Sequence, residues 1–260
     1  MNPVCKEIRQ DIINIAHTSG HGHIPTCFSV VEIMYAVYKC MKHDPKNPSW
    51  DGRDIFILSK GHAALGHYCV LASFGYFDIE KVYSFGSFMS DFGCHADRFK
   101  VPGIEASTGS LGHGIGLAVG MALALKLKQS NRRVYVVVGD GESHEGSVWE
   151  AIMVAVNLKL DNLAMIYDYN KSHLRGLQIL RPADRFEAFG CEVAVVNGHD
   201  EDALEREIIK KGNNVKVIVA NTIKGKGVDY MENKMEWHYL PMNKEKYKNA
   251  LISLEKNYDA

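Results

Sequence analysis

The run Val134-Tyr135-Val136-Val137-Val138, followed at once by Gly139-Asp140-Gly141, constrains this chain more than any other stretch. Five apolar, mostly β-branched residues ended by a glycine turn read as a buried strand. A helical pattern from about Ser147 to Leu158 follows, then a second apolar run, Leu163 to Tyr167, closed by Asp168-Tyr169-Asn170. Strand, helix and strand make one unit of a parallel sheet. Asp140 and Asn170 then both stand just past strand C-termini, the edge at which open parallel sheets bind ligands.

The rest of the chain continues the alternation. Ile55 to Leu58, Glu192 to Val196 and Val215 to Ala220 read as further strands. Val4, Ile8, Ile12 and Ile15 make a helical stripe over Pro3 to Ala16. Ser29 to Cys40 reads as a helix opened by a capping box of Ser29 and Glu32. His62 to Phe74, Leu111 to Leu127, Asp200 to Lys211 and a polar segment from Asn243 are also helical. The Leu111 helix carries small residues, Gly112, Gly116, Ala118, Gly120, Ala122 and Ala124, which permit close packing and leave room for a ligand. Residues 84–108 read as an irregular crossing over the active face, and residues 221–239 as a long loop. With no repeat and no linker, residues 1–260 are expected to form a single α/β domain, a parallel sheet flanked by helices on both faces.

Composition narrows the function classes. A net charge of −1 without a like-charge block gives no surface for nucleic acid or an acidic membrane. Glu7, Arg9 and Asp11 interrupt the first apolar stripe, which is therefore not read as a signal peptide. The longest apolar stretch, Ile115 to Leu125, is too short and glycine-broken to cross a bilayer. Six cysteines, none in a C-x-x-C pair, fit reduced thiols in a cytoplasmic protein.

Asp140 offers a hard anionic oxygen, Asn170 a neutral amide oxygen, and Ser172 a backbone carbonyl that could add a third. Mg²⁺ takes a few protein oxygens and the rest from water and phosphate, so a metal-bridged diphosphate is the expected ligand. Gly139 and Gly141 let backbone N–H groups approach it. A dinucleotide fingerprint fits less well: Gly139, Gly141 and Gly146 give G-x-G-x-x-x-x-G, and Asp140 would face a pyrophosphate with no cation between them. A plain turn with a solvated aspartate explains Gly-Asp-Gly but not its pairing with Asn170. The histidines lack zinc spacing, with no Cys/His pairing and no H-E-x-x-H.

Gly-Asp-Gly followed some thirty residues on by an asparagine after an apolar strand resembles the thiamine diphosphate motif. The words SGHGHIP, SKGHAALGHY, STGSLGHGIGLAVGMALA, GDGESHEG, YDYNKSHLRG and TIKGKG stand in the order found in the transketolase family and cover nearly the whole chain. The resemblance implies a thiamine diphosphate-binding fold with Mg²⁺, or Ca²⁺ or Mn²⁺ in its place, held by Asp140, Asn170 and Ser172. It implies cofactor contacts from His62, Gly109, Ser110, Leu111, Gly139, Asp140, Gly141, Glu142, Asn170 and His238. It assigns His21, His62, His95 and His238 to the substrate channel, with His21 matched to the histidine of the family's SGHP word. Glu145 and Glu150 match family glutamates at subunit interfaces that link paired cofactor sites. The implied reaction is reversible transfer of a two-carbon ketol unit from a ketose to an aldose; acyloin condensation or decarboxylation of a 2-oxo acid is the alternative. A non-catalytic module that kept the fold is a further reading, disfavoured by the retained Asp140, Asn170 and histidines.

This sequence departs from the family words in three places. His21-Gly22-His23 replaces a GHPG word, making His23 an additional histidine near the mouth, and Ser110 and His113 replace a proline and a glutamine. The glutamate that activates the cofactor's pyrimidine ring lies on a following domain in the family. The chain is therefore expected to resemble the N-terminal subunit of a split transketolase. A C-terminal subunit with the pyrimidine-binding domain would complete it, two copies of each making a heterotetramer.

Overall fold

The computed structural model describes residues 2–172 and 176–258. Five strands, β1 (Ile55–Leu58), β2 (Val134–Gly139), β3 (Leu163–Tyr169), β4 (Glu192–Asn197) and β5 (Lys216–Asn221), form one sheet in the order β1-β2-β3-β5-β4. All pairings are parallel. In register, Val134 lies between Ile55 and Leu163, and Asp168 between Gly139 and Ala220.

The helices are α1 (Pro3–Ser19), α2 (Ile24–Phe28), α3 (Val31–Cys40), α4 (Ala64–Ser73), α5 (His113–Leu127), α6 (Gly146–Asn157), α7 (Pro182–Ala188), α8 (Glu201–Ile209) and α9 (Lys244–Tyr258). Strand residues alternate between two cores, as the pleat requires. Tyr135, Val137, Ala164, Ile166, Ile218 and Ala220 join the core built with α1 to α4, α8 and α9. Val134, Val136, Val138, Leu163, Met165 and Tyr167 join the core built with α5, α6 and α7. Both faces of the sheet are thus covered, as the apolar strand sequences require.

The connections explain the strand order. From β2 through β4 the chain advances across the sheet with α6 and α7 on one face. It then steps back to β5 with α8 on the other face. Reversing direction while keeping a right-handed crossover puts the helix on the opposite face. The strand C-termini therefore bring Ser59, Asp140, Asn170 and Thr222 to one edge.

Local signals set the ends. Asn2 caps α1, its Oδ1 accepting from the Val4 N–H at 2.9 Å, and Gly20 closes the helix at φ +77°. Two expectations are corrected. The Ser29–Glu32 capping box does not form: α3 begins at Val31 after an N-cap, Val30, that makes no side-chain capping bond. Ser29 and Glu32 instead enter buried polar networks that outcompete a cap. The small residues of α5 also divide. A Cβ at Gly114 would lie 2.5 Å from Ser59 Oγ, so close packing holds there, whereas Gly116 and Gly120 meet nothing within 4 Å. That outer face is surface, flanked by exposed Leu117 on α5 and Met153 and Val154 on α6. No helix among the described residues is long and apolar enough to cross a membrane.

Candidate active site

Asp140 follows β2 and is fully buried, and its Oδ1 accepts from the Gly141 N–H at 2.6 Å and from the Ser172 hydroxyl at 2.7 Å. The Ser172 N–H donates to Asn170 Oδ1 at 3.0 Å. The Asn170 amide nitrogen donates to Asp168 Oδ2 at 2.9 Å and to Ser29 Oγ at 3.2 Å, which fixes the amide with its oxygen toward Ser172. Asp140, Asn170 and Ser172 are therefore brought together, with Ser172 joined to the other two through its hydroxyl and N–H and not through the carbonyl expected as a third oxygen. No group of three or more His, Cys, Asp or Glu among the described residues could hold a metal ion. A cation here would rely on one carboxylate, neutral oxygens and ligands from outside the chain, the set that suits Mg²⁺ with phosphate.

Gly141 tests the fit to a ligand. Its φ is −65°, open to any residue, and a Cβ there would meet only Ser172 Oγ at 3.7 Å, an ordinary contact. Neither conformation nor internal packing demands glycine at Gly141. A side chain would instead project into a cleft of about 360 Å³ lined by Asp140, Gly141, Asn170, Ser172, Lys60, Lys224 and His62. The donors and the space fit a metal-bridged diphosphate.

Two lysines that the sequence reading left unassigned line this cleft. Lys60, just past β1, places its ammonium 2.5 Å from Asp168 Oδ2, both residues being buried. The hydroxyls of Thr222 and Ser29 also bond the Asp168 carboxylate. Burial alone would raise the Asp168 carboxyl, but Lys60 and these donors outweigh it and hold it below its ordinary value. Lys224 follows β5. Burial and the Lys60 charge push it down to about 8, against the pull of Asp168 and Asp140. Both lysines stood inside quoted words, SKGHAA and TIKGKG, and a lysine within a glycine-rich word beside a strand end was the signal.

Two imidazoles, His62 and His238, line the cleft, and a third, His23, packs against both. Ring centroids lie 5.2 Å apart for His23 and His62, 5.4 Å for His23 and His238, and 5.8 Å for His62 and His238. Tyr239 lies 4.7 Å from His23. His62 Nε2 is 3.2 Å from the Thr26 hydroxyl, and His238 Nδ1 is 2.8 Å from Lys224 Nζ. Burial, then Lys60 and the neighbouring rings, push His62 down to about 2. Burial, His95 and the two lysines push His23 to about 4. Partial burial, then Lys224, lowers His238 in the same direction. The cluster is neutral imidazole at neutral pH.

The histidine in this group is His23, and His21 is not part of it. His21 packs against Phe85, and its Nδ1 lies 3.3 Å from Cys94 Sγ. The reason is the turn between them: Gly22, at φ +137°, points the two rings apart. His95 is exposed beside Gly109, where a Cβ would fall 2.8 Å from its ring. Leu111 lines the cleft, Ser110 is exposed, and His113 turns outward with Nδ1 near the Leu111 carbonyl at 3.3 Å. Glu142 is buried and accepts from the Ser59 hydroxyl at 2.6 Å, the Gly112 N–H at 2.9 Å and the Gly139 N–H at 3.1 Å. It ties three loops of the cleft together. Burial raises its carboxyl despite those donors. Glu145 and Glu150 lie away from the cleft, exposed at the start of α6 and on its outer face. The end of the YDYNKSHLRG word, residues 173–175, lies outside the described residues.

Sheet, strand-edge donors and glycine space define a diphosphate-binding α/β domain. The family description "Transketolase, thiamine diphosphate binding domain" matches residues 2–257. The chain belongs to the transketolase family. It is 39% identical to the 6-deoxy-6-sulfo-D-fructose transketolase subunit SqwG of a Clostridium strain, over 91% of this chain and 90% of that one. It is 40% identical to an apulose-4-phosphate transketolase subunit of Actinobacillus succinogenes, over 96% of this chain and 94% of that one. Among solved structures it resembles the transketolase of Campylobacter jejuni, with a TM-score of 0.88 and 30% identity. That match covers 98% of this chain but 43% of the other, so the chain spans less than half the length of the solved transketolase.

Proposed function

We propose that this chain is the diphosphate-binding subunit of a two-subunit, cytoplasmic transketolase. It would act with thiamine diphosphate and Mg²⁺ in the reversible transfer of a two-carbon ketol unit from a ketose phosphate to an aldose. Thiamine diphosphate supplies, when bound, the electron sink for breaking the bond beside a ketose carbonyl. Asp140, Asn170 and Ser172 hold the cation, while Lys60 and Lys224 offset the diphosphate charge and Gly141 leaves it room. His23, His62 and His238, neutral and adjacent, exchange hydrogen bonds with the sugar hydroxyls. A neutral imidazole there can take a hydroxyl proton as the bond breaks. Glu142 keeps the three loops around the cleft in place.

The observation that carries this reading is the convergence of Asp140 and Asn170 on Ser172 in the cleft that His62 and His238 also line. The relatives named as subunits, matched over nearly their whole length, support a separate partner. So does the outer face of α5, which carries no charged residue before Lys126 and exposes Leu117: a helix apolar on all sides calls for cover. A second copy and a pyrimidine-binding subunit, two of each, would cover it and close the cleft. Ketol transfer by a mixture of this chain, its partner subunit, thiamine diphosphate and Mg²⁺ tests the proposal. The purified chain alone should bind cofactor weakly and turn over no sugar. Robust transfer by the chain alone, free of host transketolase, would refute the two-subunit reading.

A further inference from the structure

Lys224 makes one contact that charge compensation does not explain. It is 2% exposed, and its ammonium lies 2.8 Å from His238 Nδ1. An ammonium has three donors and no acceptor, so Nδ1 must offer its lone pair. A neutral imidazole whose Nδ1 accepts carries its proton on Nε2. We propose that Lys224 is a positioning residue that locks His238 in the Nε2–H tautomer, so that His238 meets the substrate as a hydrogen-bond donor. Proton acceptance from the sugar then falls to His23 or His62. The substrate role rests on the transketolase-type reading above; the tautomer does not.

The construction around Lys224 supports this. Four consecutive residues are each tied to a different part of the fold. The Ile223 N–H donates to His199 Nε2 at 2.8 Å, and the Lys224 carbonyl accepts from the Asn233 N–H at 2.9 Å. The Gly225 N–H donates to the Pro25 carbonyl at 2.9 Å, and the Lys226 carbonyl accepts from Arg9 Nε at 3.1 Å. Gly225 sits at φ +81°, where a Cβ would lie 2.7 Å from the Met231 carbonyl oxygen. Behind the loop, Glu32 accepts from Arg9 at 2.6 and 2.8 Å and lies 2.9 Å from His199 Nδ1. Neutralising a diphosphate needs only a nearby cation, which a mobile lysine provides. Setting a tautomer needs a donor held on one line, and rigid support is how such geometry is kept. Burial and the Lys60 charge weaken the charged form of Lys224, and Asp168 and Asp140 support it. Pushed down only to about 8, the lysine keeps its proton at neutral pH, which opposes the reverse arrangement, a neutral amine accepting from Nδ1–H.

The test is nitrogen-15 NMR of the histidine-labelled chain at neutral pH, with His238 assigned by loss of its signals in His238→Gln. The expected pattern is an unprotonated Nδ1 and a protonated Nε2. Lys224→Arg, which keeps donors and no acceptor, should retain it, and Lys224→Met should release a mixture of tautomers. In the enzyme reconstituted with its partner, Lys224→Met should lower kcat roughly tenfold or more, as loss of a histidine-orienting partner does elsewhere, with a smaller change in the KM for the sugar. A protonated Nδ1 in the unaltered chain, or an unchanged pattern in Lys224→Met, would overturn the proposal. Failure of the reconstituted enzyme to transfer ketol units would count against the functional reading and leave the tautomer result standing.

Discussion

The backbone N–H of Asp140 donates to the carbonyl of Asp168 at 3.1 Å, yet the two carboxylates serve opposite purposes. Asp168 is consumed internally by Lys60, Thr222, Ser29 and Asn170. Asp140 bonds Gly141 and Ser172 at the wall of the cleft. Asp168→Ala should therefore act on folding, because it strands the buried Lys60 charge, at a cost of about 3–5 kcal/mol. Asp140→Ala should fold normally and lose Mg²⁺-dependent binding of thiamine diphosphate. Thermal melts and calorimetric titration of both variants separate the two effects. Unchanged cofactor affinity in Asp140→Ala, measured with the partner present, removes it from the metal site.

Gly141→Ala isolates the cleft from the fold. The residue's helical backbone accepts alanine and the added methyl touches only Ser172. Stability should change by less than about 1 kcal/mol, as for a surface glycine whose conformation alanine can adopt. Cofactor affinity should drop, since the methyl occupies ligand space. A variant that binds cofactor as tightly as the parent would place the diphosphate elsewhere.

His62→Ala should lower turnover more than cofactor affinity. The ring belongs to the imidazole cluster and touches Thr26, and general acid–base assistance is worth about 10²–10⁴-fold. Saturating the reconstituted enzyme with cofactor is the check. Full turnover at saturation would confine His62 to cofactor binding.

Stability should fall in mild acid, and His67 contributes a separable share of the loss. It is buried, bonded through Nε2 to the Tyr38 hydroxyl at 2.8 Å, with Nδ1 unpartnered, and burial pushes it down to about 3. Below the ordinary histidine value of 6.5 the unfolded chain takes up the proton and the folded chain does not, so stability drops as pH falls from there toward 3. The loss at pH 5 amounts to roughly 2 kcal/mol for this residue relative to neutrality. Denaturant titrations at pH 7 and pH 5 measure it, and His67→Phe should remove this share of the loss while leaving the share due to His23, His62 and His238, which are also held below their ordinary value. An equally steep loss in His67→Phe would assign it to other groups.

The sheet was largely legible because periodicity reports burial directly: β1 falls on Ile55–Leu58 as read, and the other strands lie within two residues of the sequence reading. The short helices α2 and α7 were missed, being too brief to show a period. The place of Asp140 and Asn170 at the strand ends was legible because a backbone position past a strand fixes where a side chain starts. Ring direction was not, since a motif gives spacing and not the turn at Gly22 that separates His21 from His23. The Ser29–Glu32 spacing suggested a cap because the distant partners Asp168, Arg9 and His199 are invisible to local patterns.

The tie between Arg9 and the loop after β5 has a consequence for inheritance and engineering. The loop carrying Lys224 is joined, through Glu32 and His199, to a helix more than two hundred positions earlier in the chain. It is not a portable cassette. Transplanting residues 222–239 into a related scaffold would carry over the lysine without its anchorage, unless Arg9, Glu32 and His199 travelled with it. Removing any one of Arg9, Glu32 and His199 would leave buried polar partners of the other two unsatisfied.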